Sequence, residues 1–357
     1  MIIHSTFKNY NLNIYQEDTF MSELVSDKNT FFVVDSLVYE LYKMTILNCI
    51  DKNKLMLIDA LEENKTIDTV LTICEEMTKL PQKRNIHLVS IGGGIIQDIT
   101  GLVANILYRG IKWTFIPTTL LAACDSCIGG KTSLNYKNYK NLLGTFYPPD
   151  NIFVYPAFFR TLTERDFCSG LGEVVKFNVL RGYERIDKLK GDIHDLLNRN
   201  EKVLEEYILS SLNFKKLYIE QDEFDHGIRV NLNFAHTFGH AIESVTKYKI
   251  PHGTAVAMGM VVANRISLSR GIFEERIQKE IENLVKKIII IKFDFSSIEI
   301  KEIVDAIRKD KKQVDNNICA ILLDDNMELH KVNDITEKEI EDGFKYLGAF
   351  LEDINCE

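Results

Sequence analysis

The sequence predicts an α/β unit built on a parallel sheet covered by helices, followed by a mainly helical unit. Three observations predict it. Through the first 150 residues, short apolar runs alternate with stretches of helical spacing. Beyond about residue 160 the pattern turns to long helical segments with one further proline, Pro251. Between the two, GTFYPPDNIFVYPAFF (144–159) punctuates the chain with prolines and aromatics. These place a first domain at 1–155 and a second at 156–357.

Taken in order, the opening MIIHSTFKNYNLNIYQED alternates apolar and polar side chains and lacks the basic start and apolar core of a signal peptide. FFVVD (31–35) and KLMLIDA (54–60) read as short strands, and IDTVLTICEEMTKL (67–80) has helical spacing. HLVSIGGG (87–94) is a buried strand ending in glycines. The helical IIQDITGLVANILY and a further strand, WTFIPTT (113–119), follow it. In the second half, DIHDLLNRNEKVLEEYILSSLNFKKLYIEQDE reads as long helix. The isoleucine- and lysine-rich stretch near 277–302 reads as an amphipathic surface with a lysine-rich solvent face.

A net charge of -9 argues against a general affinity for nucleic acid or an anionic membrane, which needs clustered basic surface. An anionic ligand must therefore meet a local basic pocket. No run of about 18 apolar residues occurs, so no spanning segment is expected. The seven cysteines are Cys49, Cys74, Cys124, Cys127, Cys168, Cys319 and Cys356; an odd, scattered set reads as reduced thiols of a cytoplasmic protein. Cys124 and Cys127 form one C-x-x-C pair, with no second pair at zinc-ribbon spacing, and read as small buried residues.

Three constellations carry chemistry. Gly92, Gly93 and Gly94 end a strand and open a helix, where backbone amides can approach a pyrophosphate at the positive end of the helix. Asp98, one turn into that helix, could bond a cofactor amide or ribose. Asp35, ending an earlier strand, is a candidate for the adenosine ribose, and Glu62 and Lys65 read as a charged pair near the same sheet edge. The second constellation, DSCIGGKTSLNYKNYKNLLG (125–144), sets Asp125, Lys131, Lys140 and Asn141 around a glycine turn suited to phosphate. The third is NFAHTFGHAIE with IPHGTAVAMGM. His236 and His240 lie one turn apart on a helix, and His252 can complete a facial metal set. Glu173 in SGLGEVVKF is the best carboxylate to complete it, because an unpaired carboxylate on so apolar a helix would be costly. Lys176 lies one turn further along that face. There is no H-E-x-x-H, so a protease reading fails.

GGGIIQDITG, YRG, PTTLLAACDSCIGGKT, KNLLGTFYPP, GLGEVVKF, DEFDHGIR, LNFAHTFGHAIE and HGTAVAMGM stand in the order found in the 3-dehydroquinate synthases, so residues 30–275 resemble that family. The resemblance implies a Rossmann-like N-terminal domain, a helical C-terminal domain, an active site between them and a homodimer. It implies zinc, with cobalt as the alternative, on Glu173, His236 and His252, and moves His240 from the metal to the substrate. It implies Lys215, Arg229 and Asn233 at a substrate carboxylate, Lys131, Asn141 and His240 near a phosphate, Arg109 reaching that phosphate from the neighbouring subunit, and Lys311 or Lys312 closing the pocket. Thr118, Thr119, Asp125 and Lys140 join Asp35, Glu62, Lys65, Gly93, Gly94 and Asp98 in the implied NAD set. His240, Lys131, Lys176 and Asp125 are the implied catalytic groups. The implied reaction turns an acidic seven-carbon sugar phosphate into a cyclohexanone carboxylate by transient oxidation, loss of phosphate, reduction and aldol closure.

Leu61, Ala235 and Thr254 stand where the family usually has glycine, glycine and glutamate, and AILLDDNMELHKV lacks its isoleucine-glycine turn. Two other readings remain open: a sister cyclase of specialised metabolism acting on another sugar phosphate, and a metal-dependent alcohol or glycerol dehydrogenase. Lys215, Arg229 and Asn233, two cations and an amide, disfavour the first, and GGKT with KNLLG disfavours the second.

Overall fold

The computed structural model describes residues 1–137, 139–293, 295, 298–309 and 317–356. By contacts the chain divides into two compact units, Met1–Leu162 with Ile219–Phe224, and Thr163–Tyr218 with Asp225–Glu357.

The first unit runs β1 (Ile2–Ile3), β2 (Tyr10–Ile14), α1 (Thr19–Ser26), β3 (Thr30–Asp35), α2 (Ser36–Tyr42), β4 (Leu55–Ile58), α3 (Ile67–Thr78), β5 (His87–Gly92), α4 (Gly94–Ile106), β6 (Lys112–Pro117), a hairpin of β7 (Leu134–Tyr136) and β8 (Tyr139–Leu143), and β9 (Asn151–Val154). Among the described residues seven of these form one sheet in the order β1-β2-β9-β6-β5-β3-β4. Its pairings are parallel except β1 with β2. Counting β3, β4, β5, β6 and β9 as successive strands gives the doubly wound order 2-1-3-4-5. In that order the winding reverses between β3 and β5, and it is at the carboxyl ends of strands at such a switch point that doubly wound sheets bind their ligands. Every residue of β5 is buried, which is why it reads as a continuous run rather than an alternation. On α3, Thr66 caps the first turn by accepting from Thr69 N, and Val70, Ile73 and Met77 make the buried stripe.

The segment expected to join the domains supplies a strand of this sheet instead. β9 lies between β2 and β6, and the 3-10 turn Pro156–Thr161 buries Phe158 and Phe159. Pro148, Pro149 and Pro156 flank the strand without interrupting it, so they punctuate the chain at no cost to the ladder. The contact boundary accordingly falls after Leu162, where 155/156 was expected.

The second unit runs α5 (Glu164–Val179), α6 (Tyr183–Leu197), α7 (Glu201–Gln221), a 3-10 turn Ile228–Asn233, α8 (His236–Val245), α9 (His252–Ser269), α10 (Glu275–Ile288), α11 (Ile300–Lys309), the hairpin β10 (Ile318–Leu323) and β11 (Leu329–Ile335), and α12 (Glu337–Cys356). The stretch 192–223, read as continuous helix, breaks at Asn198–Asn200. Arg199 turns left-handed (φ 58°), and Asn200 Oδ1 accepts from Lys202 N and Val203 N to start α7. α9 is buried on all faces from Gly253 to Asn264, as a helix at the centre of a helical core must be. No helix among the described residues is long and apolar enough to cross a membrane.

Candidate metal centre and cofactor turn

In the helical unit, glycines set the distances. A Cβ on Gly172 would stand 2.0 Å from Gly253 O, and one on Gly253 would stand 1.8 Å from Ser169 O. Only glycine at both positions lets α5 and α9 approach this closely, and Gly253 N is secured by Ser169 Oγ at 3.1 Å. A Cβ on Gly259 would likewise meet Ala235 O at 2.3 Å, which brings the start of α8 against α9. Glu173 follows Gly172, while His236 and His252 are the first residues of their helices. The glycine contacts therefore carry the carboxylate to the two imidazoles.

Glu173 is fully buried, and its Oε1 stands 3.4 Å from His236 Nε2 and 3.5 Å from His252 Nε2. Ligands on a tetrahedral zinc, bonded at about 2.0–2.1 Å, stand about 3.3 Å apart, so these spacings fit such an ion. The outer nitrogens are engaged as metal-bound imidazoles require. His236 Nδ1 lies 3.0 Å from Phe234 O and His252 Nδ1 lies 3.0 Å from Glu243 Oε2, which turns both Nε2 atoms to Glu173. Lys176 Nζ holds the other oxygen, Glu173 Oε2, at 2.6 Å; it also donates to Leu232 O at 3.2 Å and lies 4.3 Å from the centre of the Phe177 ring. Burial works to keep His252 neutral, but the carboxylates of Glu243 and Glu173 outweigh it and push the imidazole up to about 10. The centre thus calls for positive charge, and its donor set fits a zinc-type ion.

The other predicted residues of this unit are spread over several of its elements. The ring of His240 stands 5.4 Å from that of His236 and 5.8 Å from that of His252. Arg229 and Asn233 share the 3-10 turn that leads into α8; Arg229 is buried, and Asn233 Nδ2 donates to Val230 O at 2.9 Å. Lys215 is a buried ammonium on α7. Lys311 and Lys312 lie outside the described residues. Among the described residues a further possible ligand group, Asp324, Glu328 and His330, sits on the β10–β11 turn. There Asp324 accepts from Asn326 N, Glu328 N and His330 Nε2, which is turn capping.

In the sheet unit the predicted cofactor residues cluster at strand carboxyl ends. Asp35 ends β3 and caps α2 through Leu37 N at 2.9 Å, and burial raises its carboxyl. Gly93 caps α4, where a Cβ would meet Thr119 Cγ2 at 3.0 Å; Thr118 N donates to Gly92 O at 2.9 Å. The expected Glu62–Lys65 pair is not formed. Lys65, at the end of a 3-10 turn, buries its ammonium against Asp98 (2.5 Å) and Asn141 Oδ1 (2.6 Å), and Ser133 Oγ bonds both partners at 2.9 Å. Burial raises the Asp98 carboxyl against the pull of Lys65. Glu62 meets Lys140 at 3.5 Å and Asn135 Nδ2 at 2.8 Å. Asp125 lies in a π-helical turn, Ala122–Ser126, clasped to α4 by Gln97 and Ser126 through bonds of 2.7 and 2.6 Å. Lys131 is exposed, as is Arg109, which follows Tyr108 in a left-handed turn (φ 65° and 52°). Cys124 and Cys127 are buried thiols outside any disulfide, in keeping with the small buried residues read from the sequence.

Sequence reasoning missed Glu243, the Lys65–Asp98 pair and the Gln97–Ser126 clasp. For Glu243 a signal existed, since His236, His240 and Glu243 stand at i, i+4 and i+7 on one helix face.

A family model described as 3-dehydroquinate synthase N-terminal matches residues 55–169, and one described as 3-dehydroquinate synthase C-terminal matches residues 170–313. The 3-dehydroquinate synthase of Dictyoglomus thermophilum is 36% identical over 313 residues, covering 87% of this chain and 87% of its own. Among solved structures, the 2-epi-5-epi-valiolone synthase of Streptomyces hygroscopicus, with NAD+ and Zn2+ bound, aligns with a TM-score of 0.85 at 24% identity over 95% of this chain and 97% of that one. A 2-deoxy-scyllo-inosose synthase complexed with carbaglucose-6-phosphate, NAD+ and Co2+ aligns with a TM-score of 0.85 at 23% identity, over 96% and 98%. At these identities the two structures establish the fold.

Proposed function

The chain belongs to the 3-dehydroquinate synthase family, and on that premise we propose how its residues divide the work of the reaction. It is a 3-dehydroquinate synthase, a lyase that converts 3-deoxy-D-arabino-heptulosonate 7-phosphate to 3-dehydroquinate and phosphate. The observation that carries the assignment of roles is the convergence of Glu173, His236 and His252, with both outer imidazole nitrogens already engaged.

NAD and a zinc or cobalt ion fit the two halves of the machinery. When bound, NAD supplies a hydride acceptor that gives the hydride back, and the ion supplies a Lewis acid for the oxygen on the oxidised carbon. Glu173, His236 and His252 would hold the ion. The switch point between β3 and β5, with Asp35, Gly93, Gly94, Asp98, Thr118 and Thr119 at or just beyond the strand ends there and at β6, supports NAD at that place, and Glu62, Lys65, Asp125 and Lys140 complete that set.

The buried cations of Lys215 and Arg229, with the amide of Asn233, support recognition of the substrate carboxylate, for which a planar guanidinium fork is suited. This favours an acidic substrate over the neutral sugar phosphates of sister cyclases. Asn141 is fixed through its oxygen by Lys65 and Ser133, so its NH2 is the end that suits a phosphate, together with Lys131. His240 handles the proton that leaves with or returns from the substrate, and Lys176 keeps Glu173 from turning both oxygens to one ligand. We assign a homodimer in which the exposed Arg109 serves the partner's phosphate site, and a cytoplasmic location.

His252→Ala tests the centre. It should lose both stoichiometric zinc and turnover, whereas retention of one zinc per chain would overturn the ligand set.

A further inference from the structure

Resting on that reading of the metal centre, the geometry points to Glu243 as its positioning residue: its carboxylate accepts the Nδ1 proton of His252, fixing tautomer and ring so that Nε2 faces Glu173. The two imidazoles of the centre are held differently. His236 is steadied by a carbonyl of its own chain two residues earlier, Phe234 O at 3.0 Å, and its side chain is 11% exposed. His252 opens α9 straight after Pro251, its side chain is 30% exposed, and the described hold on its outer nitrogen is Glu243 Oε2 at 3.0 Å, from another helix. The more exposed ligand thus relies on a carboxylate where the less exposed one relies on the backbone.

Glu243 can reach because α8 and α9 pack closely. A Cβ on Gly239 would meet Ala255 O at 3.1 Å, and one on Gly259 would meet Ala235 O at 2.3 Å. Seven residues after His236, Glu243 falls on the same face of α8 and looks at the first turn of α9. Glu243 also belongs to a possible ligand group with His240 and His252. Against a ligand role, its Oε2 already sits at hydrogen-bonding distance from Nδ1, so an ion between those two atoms would displace the proton that the contact needs.

Positioning and ligation differ in what glutamine can replace. Glutamine still accepts the Nδ1 proton through its amide oxygen but is a poor metal ligand. Zinc affinity is read by competition with a chromophoric chelator for the parent, Glu243→Gln, Glu243→Ala and His252→Ala, with the metal-free thermal midpoint of each recorded. Positioning predicts that Glu243→Ala weakens zinc roughly 10- to 100-fold, that Glu243→Gln recovers most of this, and that His252→Ala abolishes binding. It also predicts that the cobalt-substituted Glu243→Gln protein keeps the parent's visible absorption band, a readout that serves if Glu243→Ala fails to fold. Zinc affinity of Glu243→Ala within about twofold of the parent, or Glu243→Gln as damaged as Glu243→Ala, overturns the role of Glu243 while His252→Ala still reports the centre. A parent that holds no zinc overturns the centre and this role together.

Discussion

Gly172→Ala should separate Glu173 from His252 while leaving the fold in place. The added Cβ would stand 2.0 Å from Gly253 O, against about 3.3 Å for the closest comfortable carbon–oxygen contact, so α5 must retreat by about 1.3 Å. Metal bonds tolerate about 0.2 Å, so the shift is several times what the centre can absorb. Overpacking costs about 1–3 kcal/mol, and the better helix propensity of alanine returns up to about 1 kcal/mol. The loss of zinc should therefore exceed the roughly 100-fold expected from losing an outer partner, and the thermal midpoint of the metal-free protein should change little by comparison. Gly191→Ala is the contrast. Gly191 lies within α6 with nothing within 4 Å of the new methyl, so this variant should gain up to about 1 kcal/mol and keep zinc unchanged. The assay is chelator competition alongside thermal unfolding of both variants. Gly172→Ala binding zinc within about threefold of the parent would refute the claim that this glycine contact sets the site.

Two further outcomes concern stability. Burial, with help from the Lys112 cation, holds His87 down at about 4, and its Nε2 lies 2.9 Å from Thr114 Oγ1. Below its ordinary value of 6.5 the unfolded chain takes a proton that the folded chain refuses, so stability falls as pH drops from 6.5 towards 4, by about 3 kcal/mol in all. His87→Gln should flatten that part of the denaturation-midpoint profile, and an unchanged slope would contradict the assignment. Met327 occupies a left-handed position (φ 62°) in the β10–β11 turn, where an alanine-like Cβ costs about 1–2 kcal/mol. Met327→Gly should raise the urea midpoint by an amount worth about 0.5–1 kcal/mol, and a lowered midpoint would show that the thioether's packing outweighs the strain.

The fold class was legible because β5 and α3 present unmistakable periods, one continuous and one helical. β9 was not, since four residues between prolines show neither period, and its membership of the sheet is decided by pairing with β2 and β6. The break at Arg199 was hidden because both flanking helices carry good helix formers, and the left-handed residue is an arginine rather than a glycine. In the site, residue types and spacing pointed to His236, His240 and His252 with Glu173, and only the family resemblance moved His240 from the metal to the substrate; that α5 reaches α9 depends on backbone contacts at Gly172 and Gly253 that carry no signal in residue spacing. Lys65 shows the same limit: sequence proximity suggested Glu62, and burial gave it to Asp98 and Asn141. Ala235, noted as standing where a glycine is usual, adopts a left-handed conformation (φ 69°) of the kind that favours glycine, and His236 Nε2 still stands 3.4 Å from Glu173 Oε1.

The most direct test of the account is to incubate zinc-loaded protein with 3-deoxy-D-arabino-heptulosonate 7-phosphate and a catalytic amount of NAD, following phosphate release and the absorbance of reduced NAD together. A 3-dehydroquinate synthase that recycles its NAD within each turnover will give stoichiometric phosphate and 3-dehydroquinate with no accumulation of reduced NAD. Absence of turnover, with activity instead on a neutral sugar phosphate, or steady accumulation of reduced NAD, would contradict it.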